Sequence, residues 1–399
     1  IKMKNKNLIL SMLILMIAFV FSSCSDEQSS IITSSDTDSQ IPDISENGQN
    51  PDDADLLNEL DNSRNGFIYL ESNATSQNSI LVYKQNNDGT LNLQATVSSG
   101  GAGTGGGLGN QGAITIVKDK WLFAVNAGSN SISSFKIANV GTVALKHTIQ
   151  TGGERPVSLT VDGRILYVLN AGSDNISGFR INDNGSFQAI PGSIKPLSSS
   201  GAGAAQISFS PNGRYIYVTE KGTNSITTFP VNNNGTVGNG STISSTGQTP
   251  FGFDFARDKY MIVSNAAGGA AGQSSATSYA GINNGNPTPI LGSVGNNQAA
   301  ACWVASTNHG RFAFVTNTAS GNISSYYVAP FGAIFVIQEA IPAEKGPTEI
   351  IVSDNNRYVY VLNSASNTIS AYKRQALGNL ELVGTTSGVP AGTTGMAAN

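Results

Sequence analysis

Seven segments of this chain repeat one pattern of alternating large apolar residues, and that periodicity constrains the fold more than any other feature. The segments are Phe67–Glu71, Leu122–Asn126, Leu166–Asn170, Ile216–Glu220, Met261–Asn265, Phe312–Asn317 and Val359–Asn363. Their equivalent central residues are Tyr69, Phe123, Tyr167, Tyr217, Ile262, Phe314 and Tyr360, at steps of 54, 44, 50, 45, 52 and 46 residues. Repeats of this length, built only from strand-like runs, cannot bury a core alone and must stack around a common axis. The pattern predicts an all-β, seven-bladed β-propeller with four strands per blade.

Each unit parses the same way. An apolar stretch and a turn precede the shared segment, as in Ile207–Ser210 followed by Pro211-Asn-Gly-Arg214. A third strand follows, as at Asn175, Asn224 and Asn367, and then a tight hairpin such as Asn87-Asp-Gly89, Asp183-Asn-Gly185 or Asn233-Asn-Gly235. Asn-Gly and Asp-Gly supply the positive φ that two-residue hairpins require. These runs lack the alternating acidic ligands of a calcium loop and read as turns. The fourth strand reads as short and polar, suited to an outer edge. Six innermost strands begin near Gly112, Pro156, Ala204, Pro250, Ala301 and Pro347, whereas the first unit has none upstream. The end of the chain, Thr393–Asn399, reads as the missing strand, so the C-terminus is expected to complete the first blade and close the ring.

Composition agrees. There are 45 Gly in 399 residues and only 12% charged residues, which disfavours helix interiors and favours turns. Two His and a net charge of -4 exclude the basic face that nucleic-acid binding needs. Two Cys cannot build a disulfide framework or a Cys-rich zinc site. No cofactor or metal is predicted. The run Gly100–Gly109 has no Gly-Lys-Ser or Gly-Lys-Thr after it and is not a phosphate loop. It reads as a flexible surface loop, as does the connection from Ala266 to Ser275, and either can form a lid or partner contact.

The N-terminus reads as an address. Lys2, Lys4 and Lys6 precede an apolar run from Leu8 to Phe21, too short for a comfortable membrane span. Phe21-Ser-Ser-Cys24 resembles a bacterial lipobox, which implies cleavage before Cys24 and lipidation of its thiol. The other reading is an ordinary signal peptide with an incidental Cys. Cys24-Ser-Asp-Glu27 is similar to surface-export signals of lipoproteins in the Bacteroides and flavobacterial group. Between Ser25 and Ser63 there are eleven acidic residues and no basic one. Such a segment cannot offset its ordering entropy and is expected to act as a disordered tether with a reach on the order of 35 Å. The expected organisation is residues 1–23 signal peptide, 24–63 tether and 64–399 propeller. The expected protein is a monomeric outer-membrane lipoprotein, periplasmic or surface-exposed, that touches the membrane only through its anchor.

The Tyr-Val-x-Asn strands, the Pro-Asn-Gly-Arg and Asp-Gly-Arg turns and the seven units resemble the lactonase-type seven-bladed propellers. That family includes propeller 6-phosphogluconolactonase and the carboxymuconate-lactonizing enzyme, and grades into YVTN-repeat surface proteins. The resemblance spans roughly 66 to 399. Its best local match is Ser208–Glu220, where Glu220 stands at the family glutamate. The family's preceding Arg-His pair is absent: Ala204, Ala205 and Gln206 occupy that stretch. His147 falls in an outer strand and His309 in a turn on the opposite face, so neither substitutes.

Aligning the units places Glu154, Arg155, Ser158, Gln206, Glu220, Trp303, Glu344, Lys345 and Glu349 at or near the channel mouth. Ser158, Gln206, Trp303 and Glu349 share one position of four innermost strands. These groups suit a small polar ligand, or they bond one another to close the axis. Arg155 can hold a carboxylate or phosphate, or pair with a neighbour. Glu220 can act as a general base, or hold its own loop as the repeated Asn does elsewhere. Cys302 reads as a buried, inert thiol. The favoured expectation is a binding scaffold for a small polar ligand or a cell-surface protein or glycan, without catalysis. The alternative is a lactone hydrolase in which Glu220 activates water, Arg155 holds an acidic group and Gln206 polarises the carbonyl.

Overall fold

The computed structural model describes residues 66–138 and 140–399. The signal, the lipobox Cys24 and the acidic tether lie outside the described residues. Seven antiparallel sheets follow one another along the chain, each running from an innermost to an outermost strand. The shared segments are the second strands: Phe67–Glu71, Trp121–Asn126, Ile165–Asn170, Tyr215–Glu220, Tyr260–Asn265, Phe312–Asn317 and Tyr358–Asn363. Six innermost strands are Ile114–Val117, Pro156–Asp162, Ala204–Phe209, Pro250–Ala256, Ala301–Ser306 and Pro347–Val352. The seventh is the C-terminal strand Thr394–Ala398, which pairs with the first blade through Ile68 opposite Ala398 and Tyr69 opposite Ala397. The ring is thus closed by the two ends of the described chain, and Phe67 and Asn399 exchange backbone hydrogen bonds of 3.2 and 3.1 Å.

Two repeated devices hold neighbouring blades together. The first residue of each second strand lies against the hairpin glycine of the next blade: Phe67 on Gly141, Trp121 on Gly185, Ile165 on Gly235, Tyr215 on Gly285, Tyr260 on Gly332, Phe312 on Gly378 and Tyr358 on Gly89. A Cβ on any of these glycines would collide with the facing side chain, and all seven have positive φ, so Gly is required twice over. The second device is a hydroxyl donated to the same hairpin. Tyr69, Tyr167 and Tyr360 donate to the carbonyls of Gly141, Gly235 and Gly89 at 2.9, 2.8 and 2.9 Å, and Tyr217 donates to Ile282 O at 2.7 Å. Phe123 and Ile262 have no hydroxyl. Their cross-strand partners Ser134 and Ser278 supply it instead, each 2.6 Å from the carbonyls of Gly185 and Gly332.

The outer strands meet the expectation only in part: that of the fourth blade, Ser241–Ser244, is short and polar, and the others are not. Those of the first, second, sixth and seventh blades are long, as in Leu91–Ser98 and Ile334–Pro342, and each carries a bulge. In the third and fifth blades the outer strand breaks into two pieces, Phe187–Ala189 with Lys195–Pro196 and Thr288–Pro289 with Val294–Gly295. A bulge lets a strand follow the twist without being shortened. Among the described residues no helix is long and apolar enough to cross a membrane.

Candidate site at the channel mouth

An innermost strand has a neighbour on one side only, so its other edge presents unpaired backbone groups to the axis. Side chains from the preceding blade satisfy them. Ser158 Oγ accepts from Ile207 N–H at 3.2 Å, and Thr160 Oγ1 accepts from Phe209 N–H at 3.0 Å. The Gln206 amide clips Phe253 at both ends, donating to its carbonyl at 2.9 Å and accepting from its N–H at 2.7 Å. Asp254 accepts from Ser306 N–H at 2.7 Å, and Glu349 accepts from Gly395 N–H at 2.9 Å. Ser158, Gln206 and Glu349 are therefore brought to equivalent places, as their spacing predicts, and each is engaged in closing the axis.

The fifth blade has Gly252 at that position and cannot make the clip itself. Gln111 makes it, donating to Val304 O at 2.7 Å and accepting from Val304 N–H at 2.9 Å. A Cβ at 252 would occupy the space of the Gln111 amide oxygen. Gln111 belongs to the segment leading into the second blade, and the loop Gly100–Gly109 before it is at the surface only in part, with Thr104, Gly105 and Gly107 exposed and Gly103 and Leu108 buried. The loop's start is fastened to the first blade, with Gly103 and Gly105 donating to Ala74 O and Asn73 O at 2.8 and 2.7 Å. Its end, Leu108–Gln111, is stitched across the mouth. Asn110 donates to Val157 O, Gln111 N–H donates to Ala205 O at 3.0 Å, and Trp303 Nε1 donates to Asn110 O at 2.7 Å. Glycine-rich sequence here serves close packing, because backbone and not side chains must fit between the blades.

Cations complete the seal. Arg155, held at φ 50, donates to Leu108 O at 3.4 Å. Lys221 donates to Gly109 O, and its Nζ lies 4.7 Å from the centre of the Phe251 ring. Burial, opposed by the interaction with Cys302 and reinforced by the Arg155 charge, lowers the Lys221 pKa to about 8. Cys302 is buried, as expected, and burial pushes its thiol up to about 12.

Glu220 is fully buried and saturated. One carboxylate oxygen accepts from Ser198 N–H at 3.2 Å and Thr227 Oγ1 at 2.6 Å. The other accepts from Ser198 Oγ and from Thr223 Oγ1 at 2.8 Å. In five other blades the Asn at the same position donates to a hydroxyl of the next strand, seven residues on at Ser133, Ser177, Ser324 and Ser370 and twelve residues on at Thr277. Glu220 makes that contact with the polarity reversed, because a carboxylate only accepts. Its remaining donors are Thr223 from its own blade and Ser198 from the connection out of the third blade, so it joins the third blade to the fourth. Gln206, in the stretch of the family's Arg-His pair, is spent on Phe253.

Three carboxyl groups beyond Glu220 went unrecognised or underweighted in the sequence. Glu71 is fully buried, accepts from Asn78 Nδ2, and keeps its other oxygen unbonded. Burial, partly offset by Asn78 and reinforced by the Glu349 charge, raises its pKa well above the usual carboxylate range. Burial likewise raises Glu349 to about 7, against opposing bonds from Gly395, Trp303 and Thr394. Asp254 is raised to about 6 by burial. A signal for Glu71 existed, since it ends its strand where Asn is the rule. Lys221 and Gln111 carried none. His147 packs on Phe187 with ring centres 5.7 Å apart in the outer region, away from the mouth.

A search of curated proteins returns no match. Among solved structures the chain is similar to a Bacteroides fragilis protein described as a candidate 6-phosphogluconolactonase, at 18% identity and a TM-score of 0.68, covering 84% of this chain and 99% of that one. It is similar to a Lactobacillus plantarum protein at 18% identity and a TM-score of 0.69, covering 84% and 99%. It is also similar to a Pseudomonas aeruginosa periplasmic gluconolactonase at 18% identity and a TM-score of 0.63, covering 83% and 98%. These likenesses are of fold. The model of the seven-bladed β-propeller lactonase family matches residues 62–195, 183–272 and 283–395. With seven blades in a ring and a family match over nearly all of them, this chain belongs to the lactonase family of seven-bladed β-propellers.

Proposed function

We propose that this chain is an exported, lipid-anchored member of the family that binds a small polar ligand or a cell-surface partner and does not hydrolyse lactones. The observation that carries this reading is the saturation of Glu220. A general base needs a lone pair free to take a proton from water, and both oxygens of Glu220 are already occupied by Ser198, Thr223 and Thr227. The oxyanion donors that lactone opening needs are also wanting, since the Gln206 amide is held on Phe253. Export rests on the Lys2–Lys6 and Leu8–Phe21 leader, and anchoring on Cys24, as a lipoprotein of the outer membrane, periplasmic or surface-exposed. The test is hydrolysis of a lactone panel by the purified protein, including 6-phosphogluconolactone and unphosphorylated sugar lactones, with Glu220→Gln alongside. Rates at background across the panel are expected. Turnover that disappears in Glu220→Gln with its melting temperature kept would overturn the reading and restore Glu220 as the base.

A further inference from the structure

On the face opposite the plugged mouth, the second blade carries a cluster of cations that nothing above uses. Its inner hairpin holds Lys118 and Asp119 at φ 52 and 50, a left-handed pair built without glycine. This turn presents exposed Lys118 and Lys120 over a cavity of about 190 Å³. Trp121, the buried Phe123 and the buried Ile181 line its apolar part, and Arg164, Asn182 and Asp183 close its far rim. The positive charge continues outward across the sheet. Lys136 lies opposite Trp121 with its Nζ 4.9 Å from the ring centre, and Lys146 follows on the next strand. Crowding by Lys120 and Lys146 adds to desolvation in lowering the Lys136 pKa. The acidic groups nearby are Asp119, in the same turn, and Asp183, which is paired with Arg164 at 2.5 Å. That is the one ion pair among the described residues, so none of the four lysines has a carboxylate within salt-bridge distance there.

We infer that this cavity and the lysine row beside it bind an acidic glycan, a chain whose sugars carry carboxylate or sulfate groups. One sugar ring enters the cavity past the edge of the Trp121 ring, with its anionic group between Lys118 and Lys120. The following units run over Lys136 and Lys146, on adjacent strands about 4.8 Å apart. A saccharide suits the site better than single-stranded nucleic acid, which needs open aromatic faces for stacking. Here Gly185 packs on the Trp121 ring and Lys136 covers it. The inference takes its class of partner from the scaffold reading, but the site is separate from Glu220 and the mouth, so lactone turnover and glycan binding are scored independently.

The test is equilibrium binding by calorimetry of the full chain at low and physiological salt. The probes are a sulfated oligosaccharide, an oligogalacturonate, a neutral malto-oligosaccharide and a single-stranded oligonucleotide. We expect one or both acidic saccharides to bind with an affinity that falls as salt rises, and the neutral one not to bind. Lys118→Ala/Lys120→Ala and Lys136→Ala/Lys146→Ala should each weaken binding about tenfold, the loss of two charge-assisted contacts. The control Lys259→Ala/Lys373→Ala should not, and all three variants should melt with the parent. The inference fails if neither acidic saccharide binds, if the control variant loses as much affinity as the other two, or if the oligonucleotide binds more tightly than both saccharides.

Discussion

At the residue scale, the most instructive feature is how the chain compensates for a missing atom. Tyr360 sends its hydroxyl to Gly89 in the next blade, whereas Phe123 cannot, and Ser134 directly opposite does so. The requirement is a buried donor for the hairpin carbonyl, and either strand can furnish it. Tyr360→Phe should therefore cost about 1 kcal/mol in urea unfolding, the worth of one buried hydrogen bond. Ser134→Ala should cost a similar amount. Converting the partner position in the same protein, Phe123→Tyr with Ser134→Ala, should recover most of the loss; no recovery would show that the serine is held for another reason. The same substitution of roles explains Glu220. Periodicity marked it as the counterpart of five asparagines, and its carboxylate holds the same hydroxyl position with the donor reversed. Chemistry alone did not distinguish that from a general base, because the decisive donor, Ser198, belongs to another blade.

At the scale of elements, the segment Gly100–Gly112 decides the character of the mouth. Gln111 and Gly252 behave as a fitted pair, one filling the space the other leaves. Gly252→Ala places a methyl group against the Gln111 amide and should destabilise the protein by about 1–3 kcal/mol, as overpacking does. Gln111→Gly in that background removes the clash, so the double variant should be less impaired than the sum of the two single variants. A purely additive result would mean that the plug is not seated as described. The innermost strands show the complementary lesson. Their starting points were legible to within about two residues because Pro, Ala and small turn residues punctuate each unit. The outer strands were less legible, because an edge strand answers to bulges and neighbours more than to its own pattern.

At the scale of the whole molecule, closure rests on Thr394–Ala398 and on the carboxyl groups at that seam. Deleting residues 390–399 leaves the first blade without its innermost strand, and the melting temperature should fall by more than about 10 °C; a wild-type melting curve would refute closure by this strand. Glu349 accepts from Gly395 in the closing strand, and Glu71 ends the strand that pairs with Thr394. Both have pKa values raised by burial, Glu349 from 4.5 to about 7. A raised carboxyl pKa favours the folded state while the group stays protonated. That contribution is complete below the unfolded value and is lost as pH rises toward the folded one. Stability should thus decline between pH 4.5 and about 7 through Glu349, with Glu71 acting in the same direction. Glu349→Gln should flatten that decline, measured as melting temperature against pH.

The repeat was legible along the chain: seven blades, the identity of their second strands, the starts of the innermost strands and the closure by the C-terminus. Those follow from local periodicity and turn chemistry, which any stretch of chain carries within itself. The contents of the mouth follow from the assembled ring alone. Arg155, Ser158, Gln206, Trp303 and Glu349 were all recognisable as residues converging on one end of the axis. Their partners Leu108, Asn110, Ile207, Phe253 and Gly395 lie tens to hundreds of residues away or in the adjoining blade. Hydrogen-bond satisfaction is a property of the assembled ring, and a glycine-rich stretch with no pattern of its own takes its place only from the backbone groups it meets there.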